Sequence, residues 1–530
     1  MTNSNGPSKE QKYDRQLRLW QAHGQLALED SKILAINACA TVTESLKNLI
    51  LPGIGSFTIL DATITTPQDA GNNFFLDRNS LGKPRGECAV ALLNELNPDV
   101  AGVHVFEDPS KIIAANSEFF EKFNLVIASQ LSQADVNALS NICFSKNIPL
   151  MIVRAYGFIG YLRVQTNEHC IVESHPESNL DLRLDSPFKE LIEYSDSFNL
   201  PALESMDFAH VPYAVILLKS LQEWKSKLCS KHNNALPQTG SDRNAFKDLV
   251  RSLKRPGVED ENFEEALVAV FRACSPTTIP LNISAILKES KSKIIAADTP
   301  SFWIIARAVA NFVDETGYLP LAGIVPDMKA DTESFVKLQT IYRDRAHQDA
   351  LKIHTQASSL VSAAAVATPP NIEEVSRFCK NARNLRIVRT SSIASELTES
   401  SNKAAEIGRL AEDLESNIGL YLGLRAVDAF YTANRRFPGF HDQEVESDIG
   451  LLKKTVASML LKMGLSAGLL NDDLIHEIVR AGASELHTMA SLMGGICSQE
   501  AIKLITAQYV PLNNTFVYNG MKSVGGSFEF

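Results

Sequence analysis

Lys32-Ile-Leu-Ala-Ile-Asn-Ala-Cys-Ala-Thr-Val-Thr-Glu-Ser-Leu-Lys-Asn-Leu-Ile-Leu-Pro-Gly-Ile-Gly-Ser-Phe-Thr-Ile-Leu-Asp61 reads as strand, turn, helix, strand. Lys32–Ile36 is a short apolar run of the kind that sits inside a sheet. Thr41-Val-Thr-Glu44 has a capping-box pattern, and Leu46, Leu49 and Ile50 follow as a helical stripe. Pro52-Gly53 stops the helix, and Phe57–Leu60 is the next strand. This spacing implies a parallel sheet with right-handed crossovers.

The pattern continues outward. Pro84–Leu96 reads as a second helix ended by Asn97-Pro98, and Val103–Phe106, Leu125–Ala128, Leu150–Val153 and Gly157–Thr166 read as strands. From about Glu168 to Asp473 the pattern is mostly helical: Val215–Lys227, Phe263–Ala273, Ser301–Glu315, Ser334–Ile353, Ile372–Cys379 and Ser416–Tyr431. Polar breaks near His232–Arg243, Arg255-Pro-Gly257, Thr368-Pro-Pro370 and Arg436–His441 separate them. No fixed repeat period runs through this stretch. Ser484–Leu504 is one strong helix, in which Gly494-Gly495 allows close approach of another backbone. Strand and turn follow, with Asn519-Gly520 as a hairpin signal. The fold class is therefore α/β: a doubly wound, mostly parallel sheet with a large helical insertion. The divisions expected are 1–166 and 480–530 for the sheet domain and 167–479 for the insertion.

Bulk properties narrow the function. The 530 residues are 45% hydrophobic and 21% charged, enough apolar material for two or three real cores. A net charge of −11 argues against nucleic acid or an anionic membrane as partner, and is usually only a solubility feature. The eight cysteines form no CxxC pair, so neither a zinc knuckle nor a disulfide framework is expected. The reducing cytoplasm and nucleus fit best. Residues Met1 to Gln16 are polar with no apolar signal core, and no stretch reaches the ~18 apolar residues of a membrane span. His23, His210 and His487 have no metal-ligand spacing, and Lys225–Lys231 is most simply a solvated helix face.

The turn after the first strand is where a sheet of this kind binds phosphate, and glycines are needed there so that N–H groups can approach the ligand. Asn37-Ala-Cys-Ala-Thr-Val42 contains none. Side chains at Asn37, Cys39 and Val42 fill that space. Taken alone, this also fits a sheet that never bound a nucleotide.

The flanking motifs carry more. Lys12-Tyr-Asp-Arg-Gln-Leu-Arg-Leu-Trp20, Leu46 to Asp61, Gly482-Ala-Ser-Glu-Leu-His487, Gly494-Gly495, Gln499-Glu-Ala-Ile-Lys-Leu-Ile-Thr506 and Asn514-Thr515, in this order, resemble the adenylation fold of the ubiquitin-activating enzyme family. The resemblance covers roughly 1–165 and 480–530. Active halves of that family are similar in having GxGxxG, which aligns with Asn37, Cys39 and Val42. Their Asp-x-Asp aligns with Asp61-Ala-Thr63, their Asn-Arg-Gln-Phe with Asn72-Asn-Phe-Phe75, and their nucleotide-contacting lysine with Arg85. Their metal-binding aspartate falls in Ser129-Gln-Leu-Ser-Gln133, which has no carboxylate. Each departure removes a phosphate cradle, a charge or a metal ligand.

The resemblance thus implies an inactive, regulatory half of a two-chain activating enzyme. Asp69-Ala-Gly-Asn-Asn-Phe-Phe75, Ser301-Phe-Trp-Ile304 and Ile324-Val-Pro-Asp327 look like the neddylation branch, which modifies cullins. It further implies that this chain binds no cofactor. ATP and Mg belong to a catalytic partner subunit bearing the active cysteine, and the substrate is a Nedd-type ubiquitin-like protein. The insertion resembles a catalytic-cysteine domain without its cysteine. Arg15 in Tyr13-Asp-Arg-Gln16 matches an arginine given in trans to the partner's ATP phosphates; the plainer reading is a surface arginine paired with Asp14 or Glu10. The partner interface implied comprises Ile324, Pro326, Asp327, Met328, Lys337, Leu338, Gln339, Tyr342 and Arg343, with Pro212 and Tyr213 as weaker members; the plainer reading is ordinary helix packing. Three rivals stand beside this: the equivalent subunit of the SUMO-activating enzyme, for which a shorter insertion is expected, a self-sufficient nucleotide-dependent enzyme, and a non-enzymatic scaffold for ubiquitin-like modifiers.

Overall fold

Strand β1 (Lys32–Ile36) buries every residue after Lys32, because it is an interior strand of a sheet with helices on both faces. The computed structural model describes residues 9–176, 180–232, 236–364, 369–396, 404–413 and 416–530. The other strands are β2 (Ser56–Leu60), β3 (Ala101–Val105), β4 (Leu125–Ala128), β5 (Leu150–Tyr156), β6 (Ile159–Gln165), β7 (His169–Ile171), β8 (Arg386–Val388), β9 (Thr515–Asn519) and β10 (Val524–Phe528). Eight of them form one sheet in the order β10-β9-β6-β5-β4-β1-β2-β3. Pairs among β3, β2, β1, β4 and β5 are parallel; β6, β9 and β10 add antiparallel. The strand order reverses between β1 and β4, which places a crevice at their C-terminal ends.

Alternation along the strands divides the apolar residues between two cores. Ile33, Ala35, Phe57, Ile59, Leu125 and Ile127 face the helices Ala40–Ile50, Arg85–Asn94 and His487–Thr506. Leu34, Ile36, Leu60, Val126 and Ala128 face Gln133–Ser145, Ile418–Asn434 and Val445–Lys462. The C-terminal helix and strands complete the sheet begun at the N-terminus, as the sequence predicts.

The chain divides into Met1–Ile171 with Ile387–Phe530, and Val172–Arg386. The expected boundary at 479 therefore differs from the structural one. The helices described between Ile393 and Val479 carry apolar stripes (Tyr421, Leu424, Leu460, Ile478) that close one face of the sheet rather than joining the insertion. Periodicity reports that a helix has an apolar face, not what covers it. The 172–386 unit has its own core, built from Val215, Leu218, Phe246, Phe263, Val270, Leu338 and Tyr342.

Other local expectations are corrected. The helix after β1 starts at Ala40, with Cys39 as N-cap and no side-chain cap of its own, so Thr41 and Glu44 form no capping box. Phe263–Ala273 is two helices that break at Ala269. The hairpin signalled by Asn519-Gly520 does form between β9 and β10; its loop spans Gly520–Ser523, and Asn519 Oδ1 accepts from the N–H groups of Met521 (3.1 Å) and Lys522 (3.2 Å). The Lys225–Lys231 run ends in side chains outside the described residues, as do Met1–Ser8 and Thr368.

Gly494 has the role its spacing suggests. A Cβ there would lie 2.7 Å from Glu44 Cβ and 2.9 Å from Ser45 N, so the His487–Thr506 helix meets Ala40–Ile50 almost backbone to backbone. Gly494→Ala is expected to cost about 1–3 kcal/mol of stability, read as a lower denaturation midpoint at unchanged slope. Gly495 has open space beside it and tolerates alanine.

Candidate functional site

The crevice at the ends of β1 and β4 is lined by the 37–42 turn. Asn37 takes a left-handed backbone (φ +67°) that glycine would otherwise supply, and its Nδ2 donates to the Ser129 carbonyl at 2.8 Å, bridging the crevice. The N–H groups that would cradle a phosphate are occupied. Ala38 N–H donates to Asp61 Oδ2 (2.8 Å), and Ala40 N–H to Glu485 Oε2 (2.8 Å). Thr41 Oγ1 donates to Glu485 Oε1 at 2.6 Å. Asn73 closes the other side, with Nδ2 donating to the Ala38 carbonyl (3.0 Å) and Oδ1 accepting from Thr43 Oγ1 (2.9 Å).

Asp61, the acid retained from the Asp-x-Asp pattern, is fully buried and saturated. It accepts from Ala38 N–H, from Thr63 N–H at 2.8 Å and from Arg85 Nε at 2.8 Å. Arg85, which aligns with the nucleotide-contacting lysine, also reaches Asp69 (3.0 Å), so its guanidinium is used within the chain. Burial pulls the Asp61 carboxyl upward, but Arg85 and the two N–H groups outweigh it and hold it below the usual carboxylate range. A folded-state value below the unfolded one means that the stabilisation is present above about pH 4 and is lost as pH falls through the lowered value. Asp61→Asn is therefore expected to cost about 2 kcal/mol at neutral pH. It should flatten the acid limb of the stability profile, measured by urea unfolding between pH 7 and pH 3.

A triphosphate does not fit this turn. Side chains of Asn37, Cys39 and Val42 take its volume, and two carboxylates take its donors. Glu485 and the Asp61–Arg85 pair are functional features to which sequence reading assigned no such role. Glu485 lies within the quoted Gly482–His487 motif, but nothing local announces a partner 445 residues away.

Five of the described thiols are closed off from nucleophilic work. Cys39, Cys143, Cys274, Cys379 and Cys497 are buried, with Cys88 and Cys170 half-buried. Burial pushes the Cys143, Cys274 and Cys497 thiols up to about 12, about 11 and about 12, and raises Cys39 and Cys379 as well. Among the described residues no cluster of His, Cys, Asp or Glu suits a metal ion, and no helix is long and apolar enough to cross a membrane. His23 pairs with Gln508 (2.9 Å), His210 with the Met206 carbonyl (2.8 Å) and His487 with the Asn72 carbonyl (3.4 Å).

Arg15 sits in the first turn of the Asp14–Glu29 helix and is exposed. Its base is anchored: Tyr13 is buried with its hydroxyl accepting from Asn97 Nδ2 (3.1 Å), and Lys12 Nζ reaches Asn97 (2.6 Å) and Asp99 (2.8 Å). Asp14 pairs instead with Arg18 at 2.9 Å, and among the described residues Arg15 has no ion pair. The pairing that would make it an ordinary surface arginine is therefore not formed.

The interface residues separate into two sets. Pro212, Tyr213, Met328, Leu338 and Tyr342 are buried in the 172–386 unit. The Tyr342 hydroxyl donates to the Leu182 carbonyl at 2.6 Å. These five pack the unit's own interior, which corrects their assignment as surface anchors. Ile324, Asp327, Lys337 and Arg343 are exposed, with Pro326 and Gln339 half-buried.

Residues 13–529 match the model of the ThiF family. The chain is 43% identical to the NEDD8-activating enzyme E1 regulatory subunit of Danio rerio, over 98% of this chain and 99% of the relative. It is 43% identical to that of Gallus gallus, over 98% of each. It is 39% identical to the NEDD8-activating enzyme E1 regulatory subunit AXL of Arabidopsis thaliana, over 96% of this chain and 97% of the relative. With its glycine-free phosphate turn closed by Asp61 and Glu485, the chain belongs to the ThiF family, in the group whose members are named NEDD8-activating enzyme E1 regulatory subunit.

Proposed function

We propose that this chain is the regulatory subunit of a two-chain, ATP-dependent activating enzyme for a NEDD8-type ubiquitin-like protein, acting in cullin modification. The observation that carries the reading is the phosphate turn whose donors are held by Asp61 and Glu485. Such a half cannot adenylate on its own, yet it keeps a complete sheet and a separate helical unit. The chemistry then belongs to a catalytic partner that supplies the nucleotide site, with ATP and Mg, and the cysteine that captures the modifier as a thioester. The modifier itself is a second partner.

This chain's contribution is positional. Arg15, free of ion pairs among the described residues and rooted by Tyr13, extends in trans to offset charge on the partner's ATP phosphates. The exposed set Ile324, Pro326, Asp327, Lys337, Gln339 and Arg343 supplies the partner-facing surface of the insertion. A cytoplasmic and nuclear setting fits this reading, since the buried cysteines Cys39, Cys143, Cys274, Cys379 and Cys497 form no disulfide. The long insertion and the relatives' shared name favour this reading over the SUMO-activating counterpart.

The test is reconstitution of the purified chain with a NEDD8-activating catalytic subunit, NEDD8 and ATP–Mg. Adenylate and thioester formation should depend on this chain, and the chain alone should give neither. Full activity of the partner without it, or adenylation by this chain alone, would sink the proposal.

A further inference from the structure

We propose that Glu485 is a resident anion, a carboxylate delivered in cis to the helix-terminus site that this fold otherwise offers to a phosphate. The Ala40–Ile50 helix has no side-chain cap from its own first turn. Its N-terminal N–H groups, with the partial positive charge of the helix end, still demand an acceptor in a buried place. Glu485 is 5% exposed and uses both oxygens on that end, one on Ala40 N–H and one on Thr41 Oγ1. The two oxygens thus act as two oxygens of a phosphate would.

The segment bearing Glu485 is held for this purpose. Gly482 and Ala483 take left-handed backbones (φ +56° and +65°) after the Asp472–Ala481 helix, turning the chain sharply. Gly157 N–H then donates to the Ser484 carbonyl at 2.7 Å, and Gly157 and Glu485 form a bridge beside the β5–β6 turn. The carboxylate arrives just before the His487–Thr506 helix, which packs on Ala40–Ile50 through Gly494. The contact therefore fastens the returning chain to the first strand's turn, across 445 residues of sequence. A free phosphate would bind there reversibly; Glu485 makes the occupied state permanent. This follows from the geometry of the turn and does not depend on the partner reading.

The test uses the full chain and inorganic phosphate as the probe, with chloride at matched ionic strength as control. In chloride, Glu485→Ala should melt at least about 2 °C below the wild type. Phosphate should close most of that gap, because truncation opens an anion site beside the freed Ala40 N–H and Thr41 hydroxyl. The comparison is between proteins in the same salt, since phosphate raises stability generally. Glu485→Gln keeps the side chain's volume and one acceptor, so its smaller deficit should not respond to phosphate. A Glu485→Ala chain that melts like the wild type, or whose deficit is the same in both salts, overturns the proposal. If Glu485→Ala does not fold, hydrogen exchange in Glu485→Gln decides it. Having lost one of the two acceptors, Glu485→Gln should show faster exchange at the Ala40 amide than the wild type, and phosphate should leave that rate unchanged; protection at Ala40 that rises on adding phosphate, or exchange at the wild-type rate together with a wild-type melting point, would overturn it.

Discussion

Arg15→Ala, in the reconstituted two-chain enzyme, is expected to lower ATP–pyrophosphate exchange by about a hundredfold or more, about 3 kcal/mol of barrier, with assembly unchanged. A guanidinium that meets phosphates only as pyrophosphate leaves acts mainly on the transition state, so the loss falls on kcat more than on the KM for ATP. Two features of this chain make the effect large. The residue has no competing carboxylate among the described residues, since Asp14 pairs with Arg18. Its helix is also rooted by Tyr13 and Lys12 on the Asn97–Asp99 turn, so little ordering entropy opposes the reach. Arg15→Lys keeps the charge but loses the planar fork and should recover only part of the rate. Exchange at the wild-type rate, from an Arg15→Ala complex that elutes as an intact heterodimer, would remove the role.

The sheet was legible because each strand is a short apolar run flanked by turn residues, and the missing glycines of the 37–42 turn were visible as residue identities. What replaced the phosphate was not. Glu485 and Asp61 are ordinary acids locally, and their meaning comes from contacts that only the fold creates. The same limit explains the interface residues. Tyr342 and Leu338 have the composition of anchors, but an aromatic residue on an amphipathic helix reads alike whether its own domain or another chain covers it. It also explains the boundary at 386, because the stripes of Ile418–Asn434 and Val445–Lys462 carry no mark of which core they enter.

That misplaced stretch holds the second large effect. Arg154, Arg163, Arg425, Glu396 and Asp428 are all buried between β5, β6 and the helices that return to cover them. Arg154 pairs with Asp428, and Arg163 Nε with Glu396 at 3.0 Å. Arg425 lies between the acids, 3.8 Å from each, and its Nη1 donates to the Tyr421 hydroxyl at 3.0 Å. Three guanidiniums share two carboxylates, so each acid is worth more than its share. Asp428→Ala strands the Arg154 charge and loosens Arg425, whose Nε and Nη2 already lack a hydrogen-bond partner. Removing one member of such a group costs about 3–5 kcal/mol, because the remaining charge stays buried without compensation. Thermal or urea unfolding of Asp428→Ala should show that loss in the sheet domain. Arg154→Met combined with Asp428→Leu, which removes that pair and keeps volume, should recover the part due to the stranded Arg154 charge but not the part due to Arg425. The two outcomes separate repulsion among stranded charges from lost packing. Asp428→Ala as stable as the wild type would mean that the Asp428 pairs contribute nothing to holding the Ile418–Asn434 helix on the sheet.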